Sequence, residues 1–100
     1  MAKAYVIGQN TIVDKQGYAE YAQKVPQTIK AYGGRFLARG GDTVVLDGEP
    51  NGNRNVIIEF PSIDTAKAWY FSQEYQQIVQ GRLQNAQGHL LIVDGVEDTN

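Results

Sequence analysis

The chain has 100 residues, of which 42% are hydrophobic and 20% charged, and this composition predicts one folded domain small enough to gain stability from dimerisation. Its net charge of −2 argues against nucleic acid and anionic membranes as partners. One histidine and no cysteine exclude a structural zinc site, so we expect neither a metal nor a cofactor.

The N-terminal stretch predicts a strand rather than a targeting segment. Residues Lys3 to Gln9 are rich in β-branched and aromatic types, with Tyr5 and Ile7 on one face of the strand. A basic region followed by an apolar one is missing there, and the sequence contains no run of about 18 apolar residues. We therefore expect a cytoplasmic protein whose first strand is central in a sheet.

The next segment predicts a long amphipathic helix. Asp14 is a favourable N-cap, and apolar residues recur at spacings of three and four from Lys15 to Tyr32. Pro26 lies beyond the first turn, so it predicts a kink or a break near Lys24-Val25. The pair Gly33-Gly34 supplies the left-handed residue that ends a helix.

A long hairpin follows. Its first strand begins at Arg35, is interrupted by Gly40-Gly41, and is expected to resume from Thr43 to Leu46. A bulge at that glycine pair would reverse the faces on which the side chains lie. The stretch from Asp47 to Asn53 is dense in turn formers, and Asn55 to Phe60 predicts the second strand of the hairpin.

The last third predicts two helices and a strand. Pro61 ends the hairpin, Ser62 caps a helix, and Ala66, Trp69 and Tyr70 form the inner face of that helix. Ser72 caps a second helix of about three turns, marked by Tyr75, Ile78, Val79, Leu83 and Ala86. Gly88 ends this region, Leu90 to Val93 form the fourth strand, and residues 97–100 are a polar tail.

The order β-α-β-β-α-β, with an extra helix before the last strand, predicts an α+β fold of the ferredoxin-like type. Right-handed crossovers place the first and third strands in the middle of a four-stranded antiparallel sheet, with the helices on one face. A single domain over residues 1–96 has no further element to cover the other, apolar face. We therefore predict a homodimer that packs sheet to sheet.

Four separated motifs resemble those of the domain of unknown function family 1330: Tyr32 to Gly41, Val56 to Ser62, Ala68 to Gln76, and Leu91 to Gly95. The resemblance spans nearly the whole chain. It implies the dimeric α+β barrel fold in small cytoplasmic proteins, mostly bacterial, and it implies no reaction. The family often has a longer loop at residues 50–53 and a smaller or basic residue near His89.

Arg39 and Glu59 are charged residues inside apolar strand patterns, one in each arm of the hairpin. If a bulge leaves them on one face, they can form a cross-strand ion pair at the rim of the sheet. Alternatively, Arg39 anchors a small carboxylate or enolate while Glu59 orients the ligand or acts as a base.

Four further residues are candidate ligand contacts. Trp69, Tyr70 and Tyr21 are aromatic residues of core or pocket wall, and buried tyrosines need hydrogen-bond partners. Arg82 interrupts an apolar helix stripe and matches a family arginine. It is either a residue at the cleft mouth or, alternatively, a solvated helix residue or a member of a salt bridge. His89 is a second candidate catalytic residue, although a lone histidine is more often a hydrogen-bonded strand end.

Two functions remain open from the sequence. The protein either binds a small carboxylate or aromatic metabolite in the barrel pocket, with cofactor-independent acid/base catalysis as an extension, or it is a structural or regulatory dimer without a small-molecule site. Whether it is an enzyme is undecided. The glycine pairs do not form a GxGxxG motif or a phosphate-binding loop, and the sequence offers no Ser/His/Asp catalytic set.

Overall fold

The computed structural model describes residues 2–97, so most of the predicted polar tail, residues 98–100, lies outside the described residues. Its elements in chain order are β1 (Ala4–Ile12), α1 (Lys15–Ala31), β2 (Arg35–Arg39), β3 (Arg54–Phe60), α2 (Ile63–Tyr70), α3 (Gln73–Gln76), α4 (Val79–Asn85) and β4 (Ala86–Asp94).

The four strands form one antiparallel sheet in the order β2-β3-β1-β4. β1 is central and is paired over its length with β4, from Ala4 opposite Asp94 to Ile12 opposite Ala86. This order confirms the predicted ferredoxin-like α+β fold, with the first and third strands in the middle and extra helical turns before the last strand.

The predicted helix ends are confirmed at both ends of α1. The Asp14 carboxylate accepts hydrogen bonds from the backbone N–H groups of Gln16 and Gly17, at 3.1 and 3.2 Å. At the C-terminus, Gly33 has a φ of 77°, and the N–H of Gly34 donates to the carbonyl of Ile29 at 3.0 Å. This pattern is a Schellman motif, in which glycine takes the left-handed position without steric cost.

The predicted caps of the later helices are also confirmed. The Ser62 hydroxyl accepts from the N–H of Thr65, and the Ser72 hydroxyl accepts from the N–H of Tyr75, each at 3.1 Å. Of the kink or break predicted near Lys24-Val25, the break is wrong, because the helix runs unbroken through Pro26, and the kink stays a prediction. Because Pro26 has no backbone N–H, one carbonyl of α1 lacks its helical donor, and this carbonyl belongs to the candidate site.

The chain between β2 and β3 differs from the prediction. Residues Thr43 to Leu46 form no strand, because β3 begins only at Arg54 and no partner strand lies opposite them. Side chains hold this loop instead: the Asn55 amide donates to the Thr43 hydroxyl at 3.0 Å, and the N–H of Asn51 donates to the Gln9 side chain at 2.7 Å.

The predicted three-turn helix after Ser72 is also wrong, since it is divided into α3 and α4 at Gln77 and Ile78. Leu83 is 51% exposed rather than buried, and Ala86 opens β4 rather than closing a helix. Gly88 does not end this region but lies within β4, where a side chain would meet the backbone of β1 at Gln9. Nine residues of pairing with β1 outweigh the local helical pattern.

The core lies between the helices and one face of the sheet. Its largest fully buried side chains are Trp69, Tyr75, Phe60, Ile29 and Val6. The Trp69 ring centroid lies 4.4 Å from that of Tyr75 and 5.4 Å from that of Phe60, and its indole N–H donates to the Thr28 hydroxyl at 3.0 Å. Trp69 is therefore both packed and hydrogen-bonded, as a buried indole requires.

No helix within residues 2–97 combines the length and the apolar character needed to cross a membrane. The cytoplasmic location expected from the sequence stays a prediction.

Candidate functional site in the cleft beneath helix α1

The two faces of the sheet have different environments. On β1, Ala4 and Val6 are fully buried beneath the helices, whereas Tyr5 and Ile7 point to the other side and are half-buried. We call the first side the covered face and the second the open face. Side chains directly opposite each other on paired strands share a face, so the strand register assigns every strand residue to one of the two.

A bulge in β2 decides where Arg39 lies. Phe36 is opposite Ile58, and Arg39 is opposite Val56, so both lie on the covered face. Three residues apart on a regular strand, they would lie on opposite faces, but the register shifts between Phe36 and Ala38 and leaves Leu37 unpaired. The predicted reversal of faces therefore occurs, but at Leu37 rather than at Gly40-Gly41.

A narrow cleft lies on the covered face between α1 and the β2–β3 hairpin. Its walls are apolar at Val25, Phe36, Val56, Ile58 and Trp69. Its polar lining consists of Asn10, Tyr18, Tyr21, Arg39 and Arg54, and no carboxylate of residues 2–97 lines it. The cavity volume is about 30 Å³, which is room for one or two water molecules.

Arg39 closes one side of the cleft. A guanidinium nitrogen of Arg39, Nη2, donates to the carbonyl of Ala22 at 2.7 Å. In a regular helix this carbonyl would accept from the N–H of the residue four positions later, which here is Pro26 and has none. The proline thus leaves a free acceptor on α1, and Arg39, stacked over the Phe36 ring at 4.5 Å, occupies it.

Arg54 lies beside Arg39. Its Nε donates to the Tyr18 hydroxyl at 3.2 Å, and its guanidinium lies 5.2 Å from the centre of the Tyr18 ring. Gly40 makes room for it, because a Cβ at this position would collide with the Arg54 guanidinium. Within residues 2–97, neither arginine has a carboxylate within 4.0 Å. Two unneutralised cations therefore flank the same cleft.

Two tyrosine hydroxyls meet behind the cleft wall. The hydroxyls of Tyr21 and Tyr75 are 2.7 Å apart. Burial, reinforced by Tyr75, raises the pKa of Tyr21 well above its usual range. Burial also raises the pKa of Tyr75, although the hydrogen bond with Tyr21 and both the charge and a hydrogen bond of the nearby Arg82 oppose that shift. Both phenols therefore stay protonated at neutral pH and act as hydrogen-bond donors rather than bases.

Arg82 lies next to this tyrosine pair. It is only 7% exposed, it is close enough to Tyr75 to affect its titration, and no described carboxylate lies within 4.0 Å of it. Its Nε is buried without a hydrogen-bond partner, as is Oδ1 of Asn10. These are the two unsatisfied buried side-chain atoms within residues 2–97.

The structure places Glu59 away from the cleft. Glu59 is opposite Arg35 on the open face and accepts a hydrogen bond from Arg35 Nε at 3.0 Å, while Lys3 Nζ is 3.5 Å away. Partial burial favours the neutral acid, but the Arg35 hydrogen bond and the two positive charges outweigh it and lower the pKa of Glu59. The expected cross-strand pair with Arg39 is absent, because Arg39 lies on the covered face.

His89 also lies on the open face, opposite Gln9. Its Nδ1 is 2.9 Å from the Asn51 side-chain amide, so it joins the row of polar groups that holds the 41–53 loop to the sheet. Neither predicted catalytic residue reaches the cleft. Tyr70 does not line it either, and borders a second groove together with Phe71 at the β4 edge.

Of the predicted ligand contacts, Arg39, Tyr21 and Trp69 line the cleft, and Arg82 lies behind it. Sequence reasoning missed Arg54, although strand alternation places it on the same face as Val56. It also missed the pairing of Tyr75 with Tyr21, which joins residues 54 positions apart and leaves no local signal.

The sequence profile of the family described as a domain of unknown function (DUF1330) matches residues 3–96. The chain belongs to this family. A search of curated proteins found no match. The family description assigns no reaction, so the geometry of the cleft has to carry any functional interpretation.

Solved structures confirm the fold. A protein of unknown function from Rhodopseudomonas palustris is similar with a TM-score of 0.76 at 16% identity, over 96% of this chain and 84% of that one. SnoaB, a cofactor-independent oxygenase from Streptomyces nogalater, has a TM-score of 0.58 at 10% identity, over 99% and 98% of the two chains. A putative antibiotic biosynthesis monooxygenase from Nitrosomonas europaea has a TM-score of 0.55 at 8% identity, over 99% and 94%. At these identities the likeness shows the fold alone.

Proposed function

We propose that this DUF1330 protein binds a small carboxylate with an apolar or aromatic body in the cleft beneath α1. The observation that carries the proposal is the pair Arg39 and Arg54, which flank an apolar cleft with no carboxylate in its lining. An arginine presents a planar fork of donors that matches a carboxylate, and the aromatic walls suit the remainder of such a ligand.

Binding requires the cleft to widen, because about 30 Å³ does not hold a metabolite. The Arg39 side chain is the part of the cleft wall that we expect to move. It is exposed, and its hydrogen bond to the Ala22 carbonyl is the contact that ties β2 to the middle of α1. A ligand carboxylate that takes over the Arg39 guanidinium would release this contact and open the cleft at its mouth.

Catalysis by Glu59 or His89 is not supported inside one chain, since both lie on the open face. The groups beside the cleft that can donate a proton are the hydroxyls of Tyr21 and Tyr75. The Tyr18 hydroxyl also lines the cleft, and it accepts from Arg54 while keeping its own proton. Any acid/base step in the cleft would therefore use one of these tyrosines as the acid. SnoaB acts without a cofactor, but it shares only the fold, so its reaction is not transferred.

We further propose that two copies pack through their open faces. This face carries Ile7 and Ile57 on the two central strands and Leu91 and Val93 on the edge strand β4, and Leu91 and Val93 are each 43% exposed. Its rim carries both signs of charge, at Lys3, Arg35 and Glu59. A face of that kind can pair with itself across a two-fold axis, with apolar contact in the middle and opposite charges at the rim.

The binding proposal is tested by thermal shift with small carboxylates, phenols and lactones at constant ionic strength. A ligand that binds the native state raises the melting temperature by mass action. Carboxylates should shift the wild-type protein, and the shift should vanish in Arg39→Ala and Arg54→Ala. Arg35→Ala is the matched control, since Arg35 is on the same strand as Arg39 but on the open face.

A shift that survives in both cleft variants, or one that Arg35→Ala abolishes equally, would place the ligand elsewhere. If no compound shifts the wild type and Arg39→Ala only melts lower, Arg39 is a structural clasp for α1. The protein would then be a dimer without a small-molecule site.

A further inference from the structure

Arg82 is the most unusual charge in the molecule. It is 7% exposed on the short helix α4, and its Nε is buried with no partner among residues 2–97. Glu59 forms ion pairs with Lys3 and Arg35 on the open face, away from Arg82. A guanidinium in this position loses its hydration and receives no opposite charge in return.

Physical chemistry makes this arrangement expensive. Burying a cation costs several kcal/mol unless an anion or a full set of acceptors replaces the lost water. The neighbouring phenols do not supply an anion, because burial raises the pKa of both Tyr21 and Tyr75. Within residues 2–97, Arg82 therefore lies against the neutral Tyr75 hydroxyl and has no carboxylate within 4.0 Å.

The tyrosine pair adds a donor to the same place. A hydrogen bond between the Tyr21 and Tyr75 hydroxyls uses one of their two protons, so the second O–H is available to another acceptor. Tyr21 also lines the cleft, which connects this donor to the space beneath α1. Around Arg82 the structure thus offers donors for an oxyanion and no acceptor that is already charged.

We propose that Arg82 and the Tyr21–Tyr75 hydroxyl pair bind a second anionic group of the ligand, so that the preferred ligand is a small dicarboxylate. This inference rests on the proposed function. One carboxylate is held at the mouth by Arg39 and Arg54, and the other is held at the inner end by Arg82. The ligand supplies the counter-charge that Arg82 does not receive from residues 2–97.

The test compares matched pairs of probes, butyrate with glutarate and benzoate with terephthalate, on the wild-type protein, Arg82→Met and Arg82→Lys. Affinities are measured by calorimetry at constant ionic strength. We expect each dicarboxylate to bind the wild type at least about tenfold more tightly than its monocarboxylate, which corresponds to about 1.4 kcal/mol. Arg82→Met should lose this advantage while its monocarboxylate affinity stays within about twofold of the wild-type value. Arg82→Lys should recover part of it.

The same variants separate a binding role from a structural one. Replacing an unpaired buried cation by an apolar side chain of similar length should leave the melting temperature of the ligand-free protein unchanged or raise it. A drop of several degrees, with the preference for dicarboxylates retained, would show that Arg82 is structural and would overturn the inference. If Arg82→Met does not fold, Tyr75→Phe replaces it and should reduce the same preference.

The outcomes also distinguish this inference from the proposed function. Monocarboxylate binding that depends on Arg39, without tighter binding of dicarboxylates, would retain the cleft and refute the role of Arg82. Failure of all four probes on the wild type would refute this inference, whereas the wider screen still tests the cleft.

Discussion

The two faces of the sheet carry the same residue type with opposite consequences. On the open face, Arg35 is neutralised by Glu59, which lies directly opposite it on β3. On the covered face, Arg39 and Arg54 contact a carbonyl, a hydroxyl and aromatic rings, and no carboxylate of residues 2–97 pairs with either. Within residues 2–97, the arginine on the open face is thus paired with a carboxylate, whereas the two arginines on the covered face are not.

This difference indicates what each face contacts. A face with an apolar centre and paired charges at its rim suits another protein surface, because Glu59 already neutralises Arg35 and Lys3 there. A cleft with excess positive charge and no carboxylate suits an anion. The single residue that separates the two outcomes for Arg39 is the bulged Leu37, which moves Arg39 from the open face to the covered one.

The largest expected effect is the stability loss from a core substitution, compared with one on the open face. Trp69→Ala removes a fully buried ring and its hydrogen bond to Thr28, so the free energy of unfolding should fall by about 3–5 kcal/mol. Val93→Ala on the open face should cost about 1 kcal/mol or less in the separated monomer. Chemical denaturation at several protein concentrations measures both. If the stability loss of Val93→Ala relative to the wild type grows with protein concentration, and that of Trp69→Ala does not, the interface is supported. Equal losses for the two variants would contradict the assignment of faces.

The next effect tests dimerisation. Leu91→Glu puts a carboxylate on the open face, on β4 opposite Ile7, and desolvation of that charge should weaken the dimer at least about tenfold. Leu83→Glu is the matched control, because Leu83 on α4 is 51% exposed, close to the 43% of Leu91, but lies on the helical side. Sedimentation velocity should show a monomer for the first variant and an unchanged assembly for the second. The opposite result would place the interface on the helices.

A smaller effect concerns the clasp between Arg39 and α1. Pro26→Ala restores an N–H that can donate to the Ala22 carbonyl, which the Arg39 guanidinium now occupies. Arg39→Ala should therefore destabilise the wild type by about 1 kcal/mol and the Pro26→Ala protein by less. Thermal denaturation of the four proteins in this double-mutant cycle measures the coupling. Additive losses would show that the proline and the arginine are independent.

Most of the fold could be predicted from the sequence, because its signals are local. Asp14, Ser62 and Ser72 cap helices through their nearest neighbours, and Gly33 closes α1 in the same way. The Thr43–Leu46 stretch was misread because a β-branched sequence forms a strand only where a partner is available, and β3 begins too late to provide one.

The candidate site was only partly predictable, since it depends on which face each side chain takes. A one-residue bulge reverses that assignment, and its position at Leu37 rather than at Gly40-Gly41 is set by pairing with β3. The sequence identifies Arg39 as a candidate because a charge inside an apolar strand pattern is unusual. The predicted pairing of Arg39 with Glu59 is wrong, because the bulge at Leu37 puts the two residues on opposite faces. The partner of Arg39 is instead created by Pro26, through a carbonyl that no sequence pattern marks.

The smallest effect is the pH dependence of stability, which should differ between variants of the two faces. The folded protein holds the pKa of Glu59 below its ordinary value of 4.5, so the carboxylate stabilises the fold above that value. This contribution is lost as the pH falls through the lowered pKa in the native state. In Glu59→Gln the melting temperature should therefore decline less steeply with acidification than in the wild type. The cleft has no carboxylate in its lining, so Arg39→Ala should leave the acid slope unchanged. Should Arg39→Ala flatten the slope as Glu59→Gln does, the two residues would be coupled after all, and the separation of the faces would be wrong.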